Sequence, residues 1–105
     1  MLDINIEFTR GILFVRLKGF LDNSNIENVE NKVTEIIKDG GIRFLVFNIQ
    51  NLKVINGFDM FKKCNDLVKI NDGRMLLCGV EEDSALSHYS HVDNELLALK
   101  TISVC

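Results

Sequence analysis

The run Phe44-Leu45-Val46-Phe47, carried through Asn48 to Ile49, is apolar at successive positions rather than at alternate ones. A strand built from it must be buried on both faces, as the inner strands of helix-covered sheets are. A polar stretch follows, then a turn at Asn56-Gly57, and an amphipathic pattern starts at Phe58. Met60, Phe61, Cys64, Leu67 and Val68 fall on one side of that pattern, and Lys62, Lys63, Asn65, Asp66 and Lys69 on the other. The segment therefore reads as a buried strand feeding the amino end of a helix. In open α/β sheets this junction is where ligands and partners are met. The side chains standing there are Asn56, Gly57, Phe58 and Asp59, none of them a nucleophile.

The rest of the chain supplies neighbours for that unit. Leu2 to Phe8 alternates apolar and polar residues, Thr9-Arg10-Gly11 makes a turn, and Ile12 to Leu17 forms a second strand, together an antiparallel hairpin. Ser24-Asn25-Ile26-Glu27 has the form of a capping box ahead of a helix with Ile26, Val29, Val33, Ile36 and Ile37 on one face and Gly40-Gly41 at its end. Asn71-Asp72-Gly73 closes the second helix, and Met75 to Val80 is another short buried strand. Glu81, Glu82 and Asp83 suit the start of a third helix striped by Ala85, Leu86, Tyr89 and Val92. The tail from Leu99 to Val104 alternates again, as a last strand would. The expected order is β-β-α-β-α-β-α-β: one α/β domain over residues 1–105, a mixed sheet covered by about three helices.

Charge and composition narrow the function classes. A formal net charge of -3, with basic residues scattered, argues against nucleic acid as partner. No apolar stretch approaches the roughly 20 residues of a membrane span, and the amino terminus lacks a signal pattern, so a cytoplasmic location without membrane insertion is expected. Cys64, Cys78 and Cys105 are odd in number and lack C-x-x-C spacing, which favours reduced thiols, the first two in the core.

Catalytic constellations are missing from the sequence. His88 and His91 are three apart, but no third ligand completes a metal set. Glu81, Glu82 and Asp83 suit a helix dipole better than acid–base work. The glycines do not compose a phosphate loop, and Ser84, Ser87 and Ser90 lack a nucleophile-elbow context. No enzyme, cofactor or metal is expected.

The opening hairpin, the Gly19-Phe20-Leu21-Asp22 turn, the strand Phe44–Ile49 followed by Asn51-Leu52, the second helix and the stretch Gly73 to Val80 together resemble a STAS domain over nearly the whole chain. This is the fold of bacterial anti-sigma factor antagonists. The resemblance implies a non-catalytic regulator that binds an anti-sigma factor which is also a serine kinase, or a related signalling protein; a homodimer is compatible with that role. In the family the kinase phosphorylates a serine or threonine in a D-S-[ST]-G-like turn at the start of the second helix, and the added charge rewrites the docking surface. This chain departs there. Asn56 stands at the family's aspartate, Gly57 at its phosphorylated residue, Phe58 at the small residue and Asp59 at the glycine, and no residue from Ile55 to Asp59 carries a hydroxyl.

The partner-binding set implied is Asp22, Asn23, Ser24, Asn56, Gly57, Phe58 and Asp59. Phe58 is either an apolar contact within that set or a core residue extending the stripe of Met60 and Phe61; the residues alone leave both open. The alternative function is a structural STAS subunit of a transporter or signalling assembly, with Phe20, Leu21 and Phe58 as a permanent interface. A third reading is an enzyme or small-molecule sensor using His88, His91 or the cysteines.

Overall fold

Arg10 (φ 55°) and Gly11 (φ 78°) reverse the chain between β1 (Leu2–Thr9) and β2 (Ile12–Leu21). Two positive-φ residues are what a two-residue hairpin turn with native strand twist requires. The computed structural model describes residues 2–81 and 84–103. The hairpin is in register from Leu2↔Gly19 to Thr9↔Ile12. Then α1 (Ile26–Gly40), β3 (Phe44–Val54), α2 (Phe58–Ile70) and β4 (Arg74–Cys78) follow as alternating helix and strand. Both helical crossovers return the chain to parallel pairing, β2 with β3 and β3 with β4. The short β5 (His91–Val92) pairs parallel with Leu77 and Cys78, and α3 (Glu95–Ser103) ends the described chain. The sheet runs β1-β2-β3-β4-β5.

Both faces of the central strands are buried, as the continuous apolar run requires. On one face α1 contributes Val29, Val33 and Ile37, and α2 contributes Met60, Phe61, Cys64 and Val68, against Leu13, Val15, Leu45, Phe47, Met75 and Leu77. Phe47 meets Phe61 edge to face at 5.0 Å between centroids, the favoured aromatic geometry. On the other face Ala98 and Ile102 of α3 cover Ile12, Phe14, Val46, Leu76 and Cys78. Cys64 and Cys78 are buried thiols, pushed up to about 12 and about 11 by desolvation. Cys105 lies outside the described residues.

The fold class is as expected, but the last elements differ in place. The segment expected as a third helix forms successive turns between Ser84 and Tyr89, with i→i+3 bonds from Ser87 N–H to Ser84 O and from Tyr89 N–H to Leu86 O. His91-Val92 is then strand, because the open edge of β4 takes it: Leu77 N–H donates to Ser90 O and Gly79 N–H to Val92 O. Glu81 precedes these turns, while Glu82 and Asp83 lie outside the described residues. The tail expected as a strand is α3 as far as Ser103. In α3, Ala98 and Ile102 lie four apart, about one helical turn, and both pack on the second face of the sheet. Asn94 caps this helix, its Oδ1 accepting from Leu97 N–H at 2.9 Å.

Two further details were not legible in the sequence. β3 continues five residues past Ile49 because a bulge sets Ile49 and Gln50 against Leu17, between the pairs Arg16↔Asn48 and Lys18↔Asn51. The bulge shifts the alternation, so that even-numbered Leu52 and Val54 now pack on the face that Phe47 and Ile49 occupy. The expected capping box does not form. Ser24 turns back to Asp22, and Asn25 is the cap residue of α1 without a side-chain cap bond.

One carboxylate docks α3. Arg16 Nε donates to Glu95 Oε2 at 2.8 Å and Nη2 to Oε1 at 2.9 Å, a bidentate pair, and Asn48 Nδ2 donates to Oε2 at 2.8 Å. Arg16 Nη1 also reaches Asn5 and Glu7. The Arg16 hydrogen bond, ahead of the Asn48 one, holds Glu95 below its usual 4.5 despite partial burial. A carboxyl depressed in the folded state stabilises it fully above its unfolded pKa, and the contribution fades as pH falls through the lower folded value. Melting temperatures of the wild type and Glu95→Gln should therefore differ at neutral pH and converge as pH drops below 4.5. Parallel pH profiles would disprove this role for Glu95.

Candidate functional site

At the carboxyl ends of β2 and β3 the two turns leading into α1 and α2 are tied together. Ile55 N–H and Asn56 N–H both donate to the carbonyl of Leu21, at 2.8 and 3.1 Å. Asn25 fastens the first turn, its Oδ1 accepting from Asp22 N–H at 3.0 Å and its Nδ2 donating to Phe20 O at 2.9 Å. Asp22 Oδ1 accepts from Ser24 Oγ–H and from Ser24 N–H, and these bonds hold its carboxyl below the ordinary range. Between the turns, Asn56 Nδ2 donates to Asn23 Oδ1.

Gly57 is the hinge of this arrangement. It is buried, with φ 128°, and a Cβ there would lie 2.4 Å from Ile26 Cδ1 and 3.0 Å from Leu21 Cδ2. The backbone conformation favours glycine, and any side chain would also have to displace the tip of Ile26. The expected residues thus converge, and they divide by exposure. Asn23, Ser24, Asn56, Phe58 and Asp59 are exposed, Asp22 is half-buried, and Gly57 lies beneath them.

Phe58 is 40% exposed, whereas Met60 and Phe61 beside it are 1% and 0%. It does not extend the core stripe. It overhangs a cleft of about 440 Å³, where Leu52, Val54, Val80 and Leu86 supply further apolar wall. Ile55, at 59%, and Phe20, at 48%, add exposed apolar surface at this end. Leu21 is fully buried and cannot belong to an interface, which corrects the expected set Phe20, Leu21 and Phe58. Ile55, exposed beside Phe20 and Phe58, was not in that expected set. The signal was available, since an apolar residue directly before Asn-Gly in a polar turn has little core to reach.

This end of the sheet combines exposed apolar and polar side chains. An apolar centre with a rim of Asp22, Asn23, Asn56 and Asp59 matches the usual anatomy of a protein interface. His88 and His91 are exposed and do not share a helix face; their Nδ1 atoms contact the Ala85 and Tyr89 carbonyl oxygens instead. Among the described residues no cluster of three or more His, Cys, Asp or Glu side chains could hold a metal ion. No helix among them is long and apolar enough to cross a membrane.

Comparison with known proteins agrees with this geometry. The model of the STAS domain family matches residues 3–88. The unphosphorylated form of the anti-sigma factor antagonist SpoIIAA superposes with a TM-score of 0.83 at 19% identity, covering 98% of this chain and 100% of its own. An anti-sigma factor antagonist from Mycobacterium paratuberculosis gives 0.82 at 12% identity, with 98% and 95% covered. An RsbS variant from Moorella thermoacetica gives 0.74 at 17% identity, with 97% and 98% covered. At these identities the superpositions speak to the fold.

Proposed function

The chain belongs to the STAS domain family, and from that premise we propose that it is a non-catalytic cytoplasmic regulator of the anti-sigma factor antagonist kind, which binds its partner without a serine phosphorylation switch. The partner is an anti-sigma factor of the serine-kinase type or a related signalling protein, docked on Asn23, Ser24, Asn56, Phe58 and Asp59. One observation carries the reading. Gly57, the residue our register sets at the family's phosphoacceptor, is buried at φ 128°, and a Cβ there would meet the tip of Ile26. A turn of this shape, with no hydroxyl from Ile55 to Asp59 and exposed residues around it, supports binding without that switch.

An affinity pull-down from the native host, with bound proteins identified by mass spectrometry, tests it. The wild type should recover a kinase-like anti-sigma factor. Phe58→Ser should retain the fold and reduce recovery about tenfold, as loss of an aromatic anchor does. Recovery of no such kinase-like protein would count against the partner, and undiminished recovery with Phe58→Ser would move the interface elsewhere. Light scattering adds a separate check: large self-assembled species would indicate a scaffold.

A further inference from the structure

The opposite end of the sheet holds a second cavity, of about 440 Å³, between the hairpin turn, the end of α1, the start of β3 and the last turns of α3. Its volume lies in the range of small-molecule sites. Phe8, Ile12, Phe44, Leu99 and Ile102 form apolar walls, and the charged residues lining it are Arg10 and Arg43. No carboxylate is among the lining residues described, in a chain whose acids outnumber its bases 15 to 12. Neither arginine forms an ion pair with a described residue. The Arg43 guanidinium sits 5.5 Å over the ring of Phe44, and one Nη2 bond to the Asp72 carbonyl at 3.3 Å leaves its other donors open. The carboxyl end of α1, whose dipole opposes an anion, is closed by Gly41 N–H on Ile37 O.

The hairpin turn fixes where Arg10 stands. Arg10 occupies a left-handed conformation, φ 55°, at a turn position where glycine or asparagine is relaxed. In this turn Arg10 lines the apolar cavity.

We propose that this cavity binds an amphiphile with an anionic head, its carboxylate or phosphate held by Arg10 and Arg43 and its aliphatic chain lying along Phe8, Phe44, Leu99 and Ile102. Fatty acids and alkyl phosphates share that chemistry. The site is separate from the partner-docking surface and does not depend on it.

The test titrates sodium decanoate, decyl phosphate, decanol and inorganic phosphate into the full chain below micellar concentrations, by calorimetry and amide NMR. Decanoate or decyl phosphate should saturate with shifts confined to the hairpin turn, the 40–44 segment and α3, about tenfold more tightly than decanol. The tighter of the two charged heads identifies the source of the natural ligand. Inorganic phosphate alone should not saturate. Arg10→Gly should weaken decanoate about fivefold while leaving the melting temperature equal or higher, because glycine adopts this φ without strain. Arg43→Gln should weaken it similarly. Equal affinity for decanol and decanoate, saturation by phosphate alone, shifts outside the cavity, unchanged affinity in both variants, or no binding by either charged probe would each overturn the proposal.

Discussion

Gly73→Ala is expected to destabilise the protein by roughly 3 kcal/mol or more, lowering the melting temperature by about 12 °C or more. A Cβ at this position would lie 1.7 Å from the carbonyl oxygen of Arg43 and 2.4 Å from its carbonyl carbon. The obstacle is backbone, which cannot rotate aside as a side-chain tip can. That same carbonyl accepts Arg74 N–H at 2.8 Å and opens the β3–β4 ladder, where Phe44 stands opposite Arg74. Relief requires the two strands to part at their first pair, or the Gly73 N–H bond to Val68 O at the end of α2 to break. For a domain whose total stability is of the order of 5–15 kcal/mol, the loss is a large fraction. Thermal and urea denaturation measure it. A loss below about 1 kcal/mol would show that the 71–73 turn yields freely and that this close approach does not set the ladder.

Gly57→Ser comes next, with an expected cost of roughly 2–3 kcal/mol. The substitution places a hydroxyl at the position that the proposed register equates with the family's phosphoacceptor, yet it should not create a switch. Part of the cost is the φ of 128°, which side-chain-bearing residues rarely adopt, and part is collision with Ile26 Cδ1 and Leu21 Cδ2. The two parts can be separated. Ile26 is the nearer obstacle and a flexible tip, so Ile26→Ala should remove most of the steric share and leave the backbone share. The double variant should therefore be more stable than the sum of the single losses predicts, by about 1 kcal/mol. Strict additivity would mean that backbone strain accounts for the whole cost. A Gly57→Ser protein as stable as the wild type would show that neither packing nor backbone strain excludes a hydroxyl from this turn.

Much of the candidate site was legible because its determinants are local. Asn56-Gly57 before an amphipathic pattern announces a turn into a helix, and the absence of a hydroxyl from Ile55 to Asp59 needs no coordinates. The exposure of Phe58 and the burial of Leu21 were not legible. Both residues are apolar and sit beside turns, and only the packing of α1 and α2 on the sheet decides which of them finds a core. The Arg16–Glu95 pair was hidden for a simpler reason: 79 positions separate its members.

The sequence by itself determined that this chain makes a helix-covered sheet. Four consecutive apolar residues in β3, and stripes at helical spacing on either side of it, are patterns that short-range physics reads directly. Tertiary structure decided the rest. The tail from Leu99 to Val104 was expected as a strand, yet as far as Ser103 it is helix, with Ala98 and Ile102 covering the second face of the sheet. His91-Val92 became strand because β4 had an edge to fill, and the bulge at Ile49-Gln50 let β3 run on with its alternation shifted. Gly57, legible as a turn residue, became a position where a side chain is costly once Ile26 and Leu21 were packed against it. Periodicity states which face an element can bury, and only the assembled neighbours state what is there to bury it against.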